Sequence, residues 1–214
     1  MVSVLKNLNE LFLAFNLALL SLSANAVTPN AVILNKDSGT YKIDTPHSKV
    51  GFEITHLAVS VVEGRFDSFD GEVEIGATLK DLKMRATIDS ASINTNNKKR
   101  DSELRGPQFF DVNQYKSIVF VSRAVTGSPE HLIIKGDLSI RGITQTVNLE
   151  GKLRGTVIDP FGNTKLAVSA NGKISRKAFG LLWSKTVEAG PVIGDEITLD
   201  IRVEAAKRNQ NKVR

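Results

Sequence analysis

The chain contains no cysteine among its 214 residues. This absence excludes disulfide bonds, thiol catalysis, Fe–S clusters and zinc sites with cysteine ligands. Stability must therefore come from a packed hydrophobic core, which a chain of this length can supply. Since all-β barrels reach about 200 residues as one domain, and no repeat or internal boundary is visible, we expect a single folded domain.

Catalytic and metal-binding patterns are also lacking. The chain has three histidines, His47, His56 and His131, and no two of them have the H-x-x-x-H spacing that brings two imidazoles to one metal ion. There is no G-x-S-x-G turn for a nucleophilic serine, and the carboxylates are scattered singly along the chain. We therefore predict no catalytic residue, no metal site and no cofactor.

The positive charge is concentrated at one end of the chain. The formal net charge is +5, and most of it comes from the last eight residues, which carry Lys207, Arg208, Lys212 and Arg214. About +1 is left for the rest, too little for a nucleic-acid-binding surface. Residues 207–214 are thus a basic tail, either solvated or in contact with anionic lipid head groups, so we expect at most peripheral membrane contact.

The first residues resemble a targeting segment rather than part of a fold. Lys6 precedes a mainly apolar run from Leu11 to Leu22, and small residues lie at Ala24 and Ala26. This pattern predicts a signal peptide over residues 1–26, cleaved after Ala26, and a periplasmic or secreted protein. The run is about 12 residues, too short to span a bilayer as a helix. Residues 27–39 are interpreted as a linker or an N-terminal edge strand.

From residue 40 to 206 the sequence alternates apolar and polar residues with a period of two, which predicts β-strands. We count about eight to ten strands with hairpin-length connections, including a turn at Asp159–Asn163. Antiparallel strands in this number lose their exposed edges by closing into a barrel. Eight strands leave an interior just wide enough for one small or slender ligand. Its inward side chains are apolar, so either an apolar molecule binds inside or the barrel is filled and binds nothing.

One short helix is predicted near residues 98–105. Asn96 or Asn97 could cap it, a pair between Asp101 and Arg105 could stabilise it, and the dipeptide at 106–107 ends it. Phe109 and Phe110 follow at once. They either close the core, the default for buried phenylalanine, or form a plug at one end of the barrel.

A second segment, residues 175–183, also interrupts the strand pattern. Arg176 lies beside an apolar run that contains Phe179, Leu181 and Trp183. The segment is interpreted as a loop over the barrel end. It could instead line a mouth, with Arg176 near a polar or anionic head group.

Several short motifs, in order over residues 41–205, resemble the YceI-like family of exported lipid-binding proteins. They are Tyr41–Asp44, His47–Ser48 with Phe52, Gly64–Phe66, Phe69–Gly71, Ser92–Thr95, Arg100–Asp101 with Leu104, Phe109–Asp111, Gly136–Thr144, and Arg176 with Phe179–Leu181. The resemblance implies a lipocalin-like antiparallel barrel around an apolar tunnel. It implies a hydrophobic ligand, a polyprenol, polyprenyl phosphate or quinone, with its head group near the open end, and no catalytic residues.

On this basis we predict two sets of ligand contacts. The tunnel-lining set is Phe52, Ile54, Phe66, Phe69, Met84, Phe109, Phe110, Phe120, Phe179, Leu181 and Trp183. The head-group set is His47, Arg100, Asp101, Arg141 and Arg176. Glu103 and Arg141 stand where the family commonly has histidine, so the charge near the head group is expected to differ from that of relatives.

The leading hypothesis is therefore a non-enzymatic, exported protein that sequesters or transports an isoprenoid-like lipid. Two alternatives are kept. One is an enzyme that modifies or hydrolyses such a lipid with His47 or His56, and the other is a stress-related structural protein with a filled barrel. A monomer and a homodimer are both open.

Overall fold

A computed structural model describes residues 37–187 and 190–208. The predicted signal peptide and nearly all of the predicted linker lie outside these residues. The described part is almost entirely β-structure with one α-helix. Its elements are β1 (Gly39–Ile43), β2 (Lys49–His56), β3 (Ser60–Phe66), β4 (Phe69–Ile75), β5 (Lys83–Asp89), β6 (Ile93–Asn94), α1 (Lys98–Arg105), β7 (Ser117–Ser128), β8 (His131–Ile140), β9 (Ile143–Ile158), β10 (Thr164–Ser175), β11 (Thr186–Val187), β12 (Gly190–Pro191) and β13 (Ile193–Lys207).

The strands close into an antiparallel barrel. Neighbours follow the order β1-β4-β5-β7-β8-β9-β10-β13, and β13 pairs again with β1. We call each long strand of the barrel wall a stave, whether it is continuous or interrupted. Three staves are interrupted, so that β1 continues as β2, β3 as β4 and β5 as β6. Beside the main ring, β2 pairs with β13 and β3, and β3 pairs with β6. Counting each broken stave once gives eight, which confirms the predicted all-β barrel of about eight strands.

The predicted helix is present as α1, and its N-terminal cap is Asn97, whose side-chain oxygen accepts a hydrogen bond from the Arg100 amide at 3.1 Å. The helix ends at Gly106 as predicted. The predicted pair between Asp101 and Arg105 is wrong. The Asp101 carboxylate instead accepts the amide and hydroxyl of Thr95, and Arg105 donates to backbone carbonyls of the preceding segment. Both side chains thus hold the helix to the chain before it.

The two barrel ends differ. We call one end the mouth; it is formed by residues 57–59, 95–116, 141–142, 176–187 and 190–192, which join strands on that side. The other end, the base, is filled by fully buried side chains on the strands and on the connection between β4 and β5, namely Tyr41, Leu79, Leu82, Leu132, Leu166 and Ala205. Access to the interior through the base would therefore require these buried side chains to move.

Two further predictions concern the ends of the strands. The turn at Asp159–Asn163 joins β9 to β10 as predicted, with the Asp159 carboxylate accepting the amides of Phe161 and Asn163. β13 continues through Lys207, the first residue of the predicted basic tail. Among the described residues, no helix has the length and apolar character needed to cross a bilayer.

Candidate functional site

The barrel encloses a cavity of about 150 Å³. Its side chains come from strands all around the ring and are almost wholly apolar. Glu72 and Arg85 also border it, but they alternate with the inward Val73 and Met84 and so face outward. The remaining lining residues are Ile43, Val50, Phe66, Ala86, Ile88, Ile118, Phe120, Ile134, Leu138, Ile140, Val147, Leu149, Val168, Ala170, Ile174, Leu199, Ile201 and Val203.

Three predicted lining residues, Phe66, Met84 and Phe120, border this cavity. Most of the wall consists of branched aliphatic residues, which the predicted set omitted because it favoured aromatic side chains. The period-two alternation was the available signal, since valine, leucine and isoleucine occupy the inward positions of nearly every strand. Phe69 is buried in the core without bordering the cavity, and Ile54 is half-buried near the mouth end of β2.

An inner layer of aromatic rings separates the cavity from the mouth. The Phe66 ring lies 5.8 Å from that of Phe52 and 5.8 Å, edge to face, from that of Phe110. The tip of the Phe52 ring lies against Gly64 of the neighbouring strand, where an added Cβ would be 2.3 Å from the ring. Gly64 is therefore needed to let this ring approach the barrel wall. The layer brings Phe110 from the segment after α1 into contact with the strand that lines the cavity.

An outer layer covers the inner one. Phe109 and Trp183 come from different mouth segments, and their ring centroids are 5.4 Å apart. Phe179 and Leu181, between Arg176 and Trp183, are buried in the core. The consecutive phenylalanines thus divide their roles, with Phe110 packed inward and Phe109 packed against the only tryptophan of the chain.

Arg141 connects two mouth segments. It lies in the tight turn between β8 and β9 with a φ of 51°, followed by Gly142 with a φ of 76°. Its guanidinium donates to the carbonyl of Gly180 at 2.8 Å and to that of Pro107 at 2.8 Å, and its Nε is buried without a partner. Gly142 is required here for a second reason, because an added Cβ would be 2.8 Å from the ring of Tyr115.

Arg176 is the most buried cation of the mouth, with only 5% of its surface exposed. Its guanidinium donates to the carbonyls of Gly194, Leu181 and Trp183, and its Nη2 is buried without a partner. Burial lowers the pKa of this guanidinium from its ordinary value. Among the described residues no carboxylate hydrogen-bonds to it, and its charge is balanced by these carbonyl dipoles and by the nearby Asp195 carboxylate.

Of the other predicted head-group residues, Arg100 and Asp101 belong to the mouth and His47 does not. Arg100 donates to the hydroxyl and carbonyl of Thr95, the residue whose hydroxyl Asp101 also binds. His47 lies between β1 and β2 on the outer wall, beside a polar groove of about 800 Å³ that also contains His131. His47 therefore does not border the cavity, and its predicted head-group role stays a prediction. His56, the other histidine of the enzyme hypothesis, ends β2 and does not border the cavity either.

One cluster could in principle hold a metal ion. Ligand atoms of Asp44, His47 and Glu204 lie within 4.8 Å of one another. However, the Lys165 ammonium is 2.6 Å from Asp44 and 3.2 Å from Glu204. The hydrogen bond from Lys165, and to a lesser extent the one from His47, lowers the pKa of the Asp44 carboxyl. The same hydrogen bond to Asp44 raises the pKa of the Lys165 ammonium. The cluster is therefore an ion-pair network that joins the first stave to β10 and β13.

The fold has counterparts among solved structures. A YceI protein of Campylobacter jejuni is 31% identical, with a TM-score of 0.64 over 78% of this chain and 96% of that one. BcnA of Burkholderia cenocepacia, 22% identical, shares the fold with a TM-score of 0.67 over 76% of this chain and 99% of that one. A Saccharophagus degradans structure described as a polyisoprenoid binding domain is 16% identical, with a TM-score of 0.61 over 78% and 98%.

Sequence comparison gives the family. A UPF0312 protein of Photorhabdus laumondii is 35% identical over 179 residues, which are 79% of this chain and 93% of that protein. A protein named YceI from Salmonella newport is 35% identical over 171 residues, or 78% and 87%. Residues 41–205 match the YceI-like domain. The chain therefore belongs to the YceI-like family.

Proposed function

We propose that this protein is exported and binds an isoprenoid-like amphiphile, a polyprenol, polyprenyl phosphate or quinone, inside its barrel. The observation that carries the proposal is the apolar cavity inside the barrel, into which no ionisable side chain of the described residues points. The fold relative described as a polyisoprenoid binding domain supports the choice of ligand. The pattern of residues 1–26 supports export.

The size of the cavity sets a condition on binding. A volume of about 150 Å³ accommodates a benzene-sized group, whereas pockets for larger ligands are about 300–1,000 Å³. A chain of several isoprene units therefore needs the inner aromatic layer to move outward. Burial of each CH₂ contributes about 0.8 kcal/mol, so affinity rises with chain length until the enlarged interior is full.

The head group belongs at the mouth under this proposal. Arg176 and Arg141 lie there, and each has one buried guanidinium N–H without a partner. A polar or anionic head group that displaces a backbone carbonyl from either arginine would make charge-assisted hydrogen bonds. Arg100 and Asp101 are occupied by Thr95 and are the less suitable candidates.

The test is mass spectrometry of organic extracts from the natively folded protein, together with titration by isoprenoids of increasing length. We expect a bound lipid and an affinity that increases with chain length. Ala170→Leu adds bulk inside the cavity and should reduce binding. Ala167→Leu, on the outward face of the same strand, is the matched control and should bind normally. Empty extracts together with failure to bind long isoprenoids would refute the proposal.

A further inference from the structure

We propose that the mouth is also a membrane-docking surface, which places the barrel opening on an anionic lipid bilayer. The inference rests on the proposed function, because an apolar lipid must pass between the bilayer and the cavity without crossing water. Three features of the mouth carry it: a strained apolar turn, exposed aliphatic side chains on a neighbouring segment, and unpaired lysines around them.

The turn between β2 and β3 is unusual in composition and conformation. Leu57 and Ala58 have φ values of 51° and 60°, in the left-handed region where glycine and asparagine are preferred. The next residue, Val59, is 87% exposed. A turn of Asn and Gly would be less strained and better hydrated. An apolar sequence kept in a strained, exposed turn points to an apolar environment as its binding partner.

Further aliphatic side chains project from the segment beside this turn. The Leu57 amide donates to the carbonyl of Val192 at 2.9 Å, so residues 190–192 are held next to the turn. Leu182 is 65% and Val187 45% exposed. Val59 is at the tip of the turn between β2 and β3, whereas Leu182 and Val187 belong to the chain between β10 and β13. Exposed aliphatic side chains at such tips suit shallow insertion into a lipid interface.

The charge around these tips complements an anionic surface. Lys98 and Lys99 begin α1, Lys116 precedes β7 and Lys177 follows β10, and all four side chains are exposed. None of the four forms a salt bridge with another described residue. Basic residues close to an anionic bilayer each strengthen binding about fivefold. The mouth therefore combines apolar tips with exposed lysines, of which Lys177 also lies close enough to Asp195 to lower the pKa of that carboxyl.

The base provides a matched control, because it also has an exposed apolar tip. Phe161 is 88% and Val157 65% exposed on the hairpin between β9 and β10. This tip is next to the Asp159 carboxylate, and the basic tail after β13 starts from the same end. Substitutions at the base and in the tail thus separate mouth-directed docking from general stickiness and from charge in the tail.

The experiment is co-sedimentation of the full chain with vesicles of phosphatidylcholine, alone or in an equimolar mixture with phosphatidylglycerol. We expect binding to the mixed vesicles that weakens with salt. Val59→Glu with Leu182→Glu should weaken binding more than tenfold, since each removes an inserted aliphatic side chain. Lys98→Gln with Lys99→Gln should weaken it roughly twentyfold. Urea unfolding curves of the variants check that these exposed substitutions leave the fold intact.

The controls decide between the outcomes. Val157→Glu with Phe161→Glu, and Lys212→Gln with Arg214→Gln, should change binding by no more than about twofold. The proposal is overturned if the wild type does not bind mixed vesicles, or if base or tail variants lose binding as strongly as mouth variants. Lipid extracted from the wild type tests the cavity separately. A wild type with an occupied cavity that does not bind mixed vesicles refutes docking alone, and a wild type with empty extracts and intact vesicle binding refutes the lipid-carrier function alone.

Discussion

Removing the inner plug should open the barrel. The change is Phe110→Ala, which deletes the ring that packs edge to face on Phe66 between the cavity and the mouth. The matched control is Phe109→Ala, which removes the adjacent ring from the outer layer, where it contacts Trp183. If the interior is reached through the mouth, only the first substitution removes the barrier nearest the cavity.

The expected loss of stability follows from burial. Truncating a fully buried phenylalanine costs about 3–5 kcal/mol, and Phe110 is half-buried. Losing the edge contact with Phe66 adds about 1 kcal/mol. We therefore expect Phe110→Ala to lower the free energy of unfolding by about 2–3 kcal/mol, and Phe109→Ala by about 1 kcal/mol. Urea unfolding followed by far-UV circular dichroism measures both.

Trp183 is the natural reporter of ligand uptake, because it is the only tryptophan and lies at the mouth. Stopped-flow fluorescence with a long-chain isoprenoid should show uptake at least tenfold faster in Phe110→Ala, since a barrier lower by about 1.4 kcal/mol gives that factor. Phe109→Ala should change the emission of Trp183 more than the uptake rate. An uptake rate for Phe110→Ala within about twofold of wild type would refute the mouth as the route, whatever the loss of stability.

Three further predictions concern stability. Lys165→Met should lower the free energy of unfolding by about 1–2 kcal/mol at pH 7. The folded-state pKa of Asp44 lies below its ordinary 3.8, so the stabilisation that Lys165 gives through the Asp44 carboxylate is full above pH 4. The difference in stability between the variant and the wild type should therefore shrink as pH falls through the lowered pKa. Gly142→Ala should destabilise the protein by about 1 kcal/mol more than Gly162→Ala. Both glycines have a positive φ, 76° and 81°, but a Cβ at Gly142 would be 2.8 Å from the Tyr115 ring, whereas a Cβ at Gly162 would meet only open space. Thermal unfolding of the two variants measures the difference. Asn97→Ala removes the cap of α1 and should cost about 1 kcal/mol, measured by urea unfolding.

Each of these has a result that would contradict it. An unchanged gap between Lys165→Met and wild type at pH 7 and pH 3 would show that Asp44 gains nothing from this lysine. Equal losses for the two glycine variants would show that the neighbouring ring yields freely. A stability unchanged by Asn97→Ala would mean that tertiary contacts alone hold the helix.

The regular parts of the fold were predictable because local rules dictate them. Period-two alternation marked the strands, and the helix was located from a cap at Asn96 or Asn97 and from Gly106 at its end. The predicted pair of Asp101 with Arg105 failed because the hydrogen-bonding groups of the preceding segment compete for both side chains. The choice of Thr95 as a partner depends on how the chain folds back before α1, which no spacing rule contains.

The sequence by itself determined that this is a cysteine-free β-barrel with one capped helix and apolar inward side chains, because alternation, capping and turn residues act over a few positions. It left open whether Phe109 and Phe110 close the core or plug one end. Only the tertiary structure decided that Phe110 packs inward and Phe109 outward, that Arg141 and Arg176 bind backbone carbonyls, and that His47 lies on the outer wall. Those roles depend on which segments meet when the barrel closes. The volume of the cavity is also a tertiary property, because it is what remains after side chains from all eight staves have packed together.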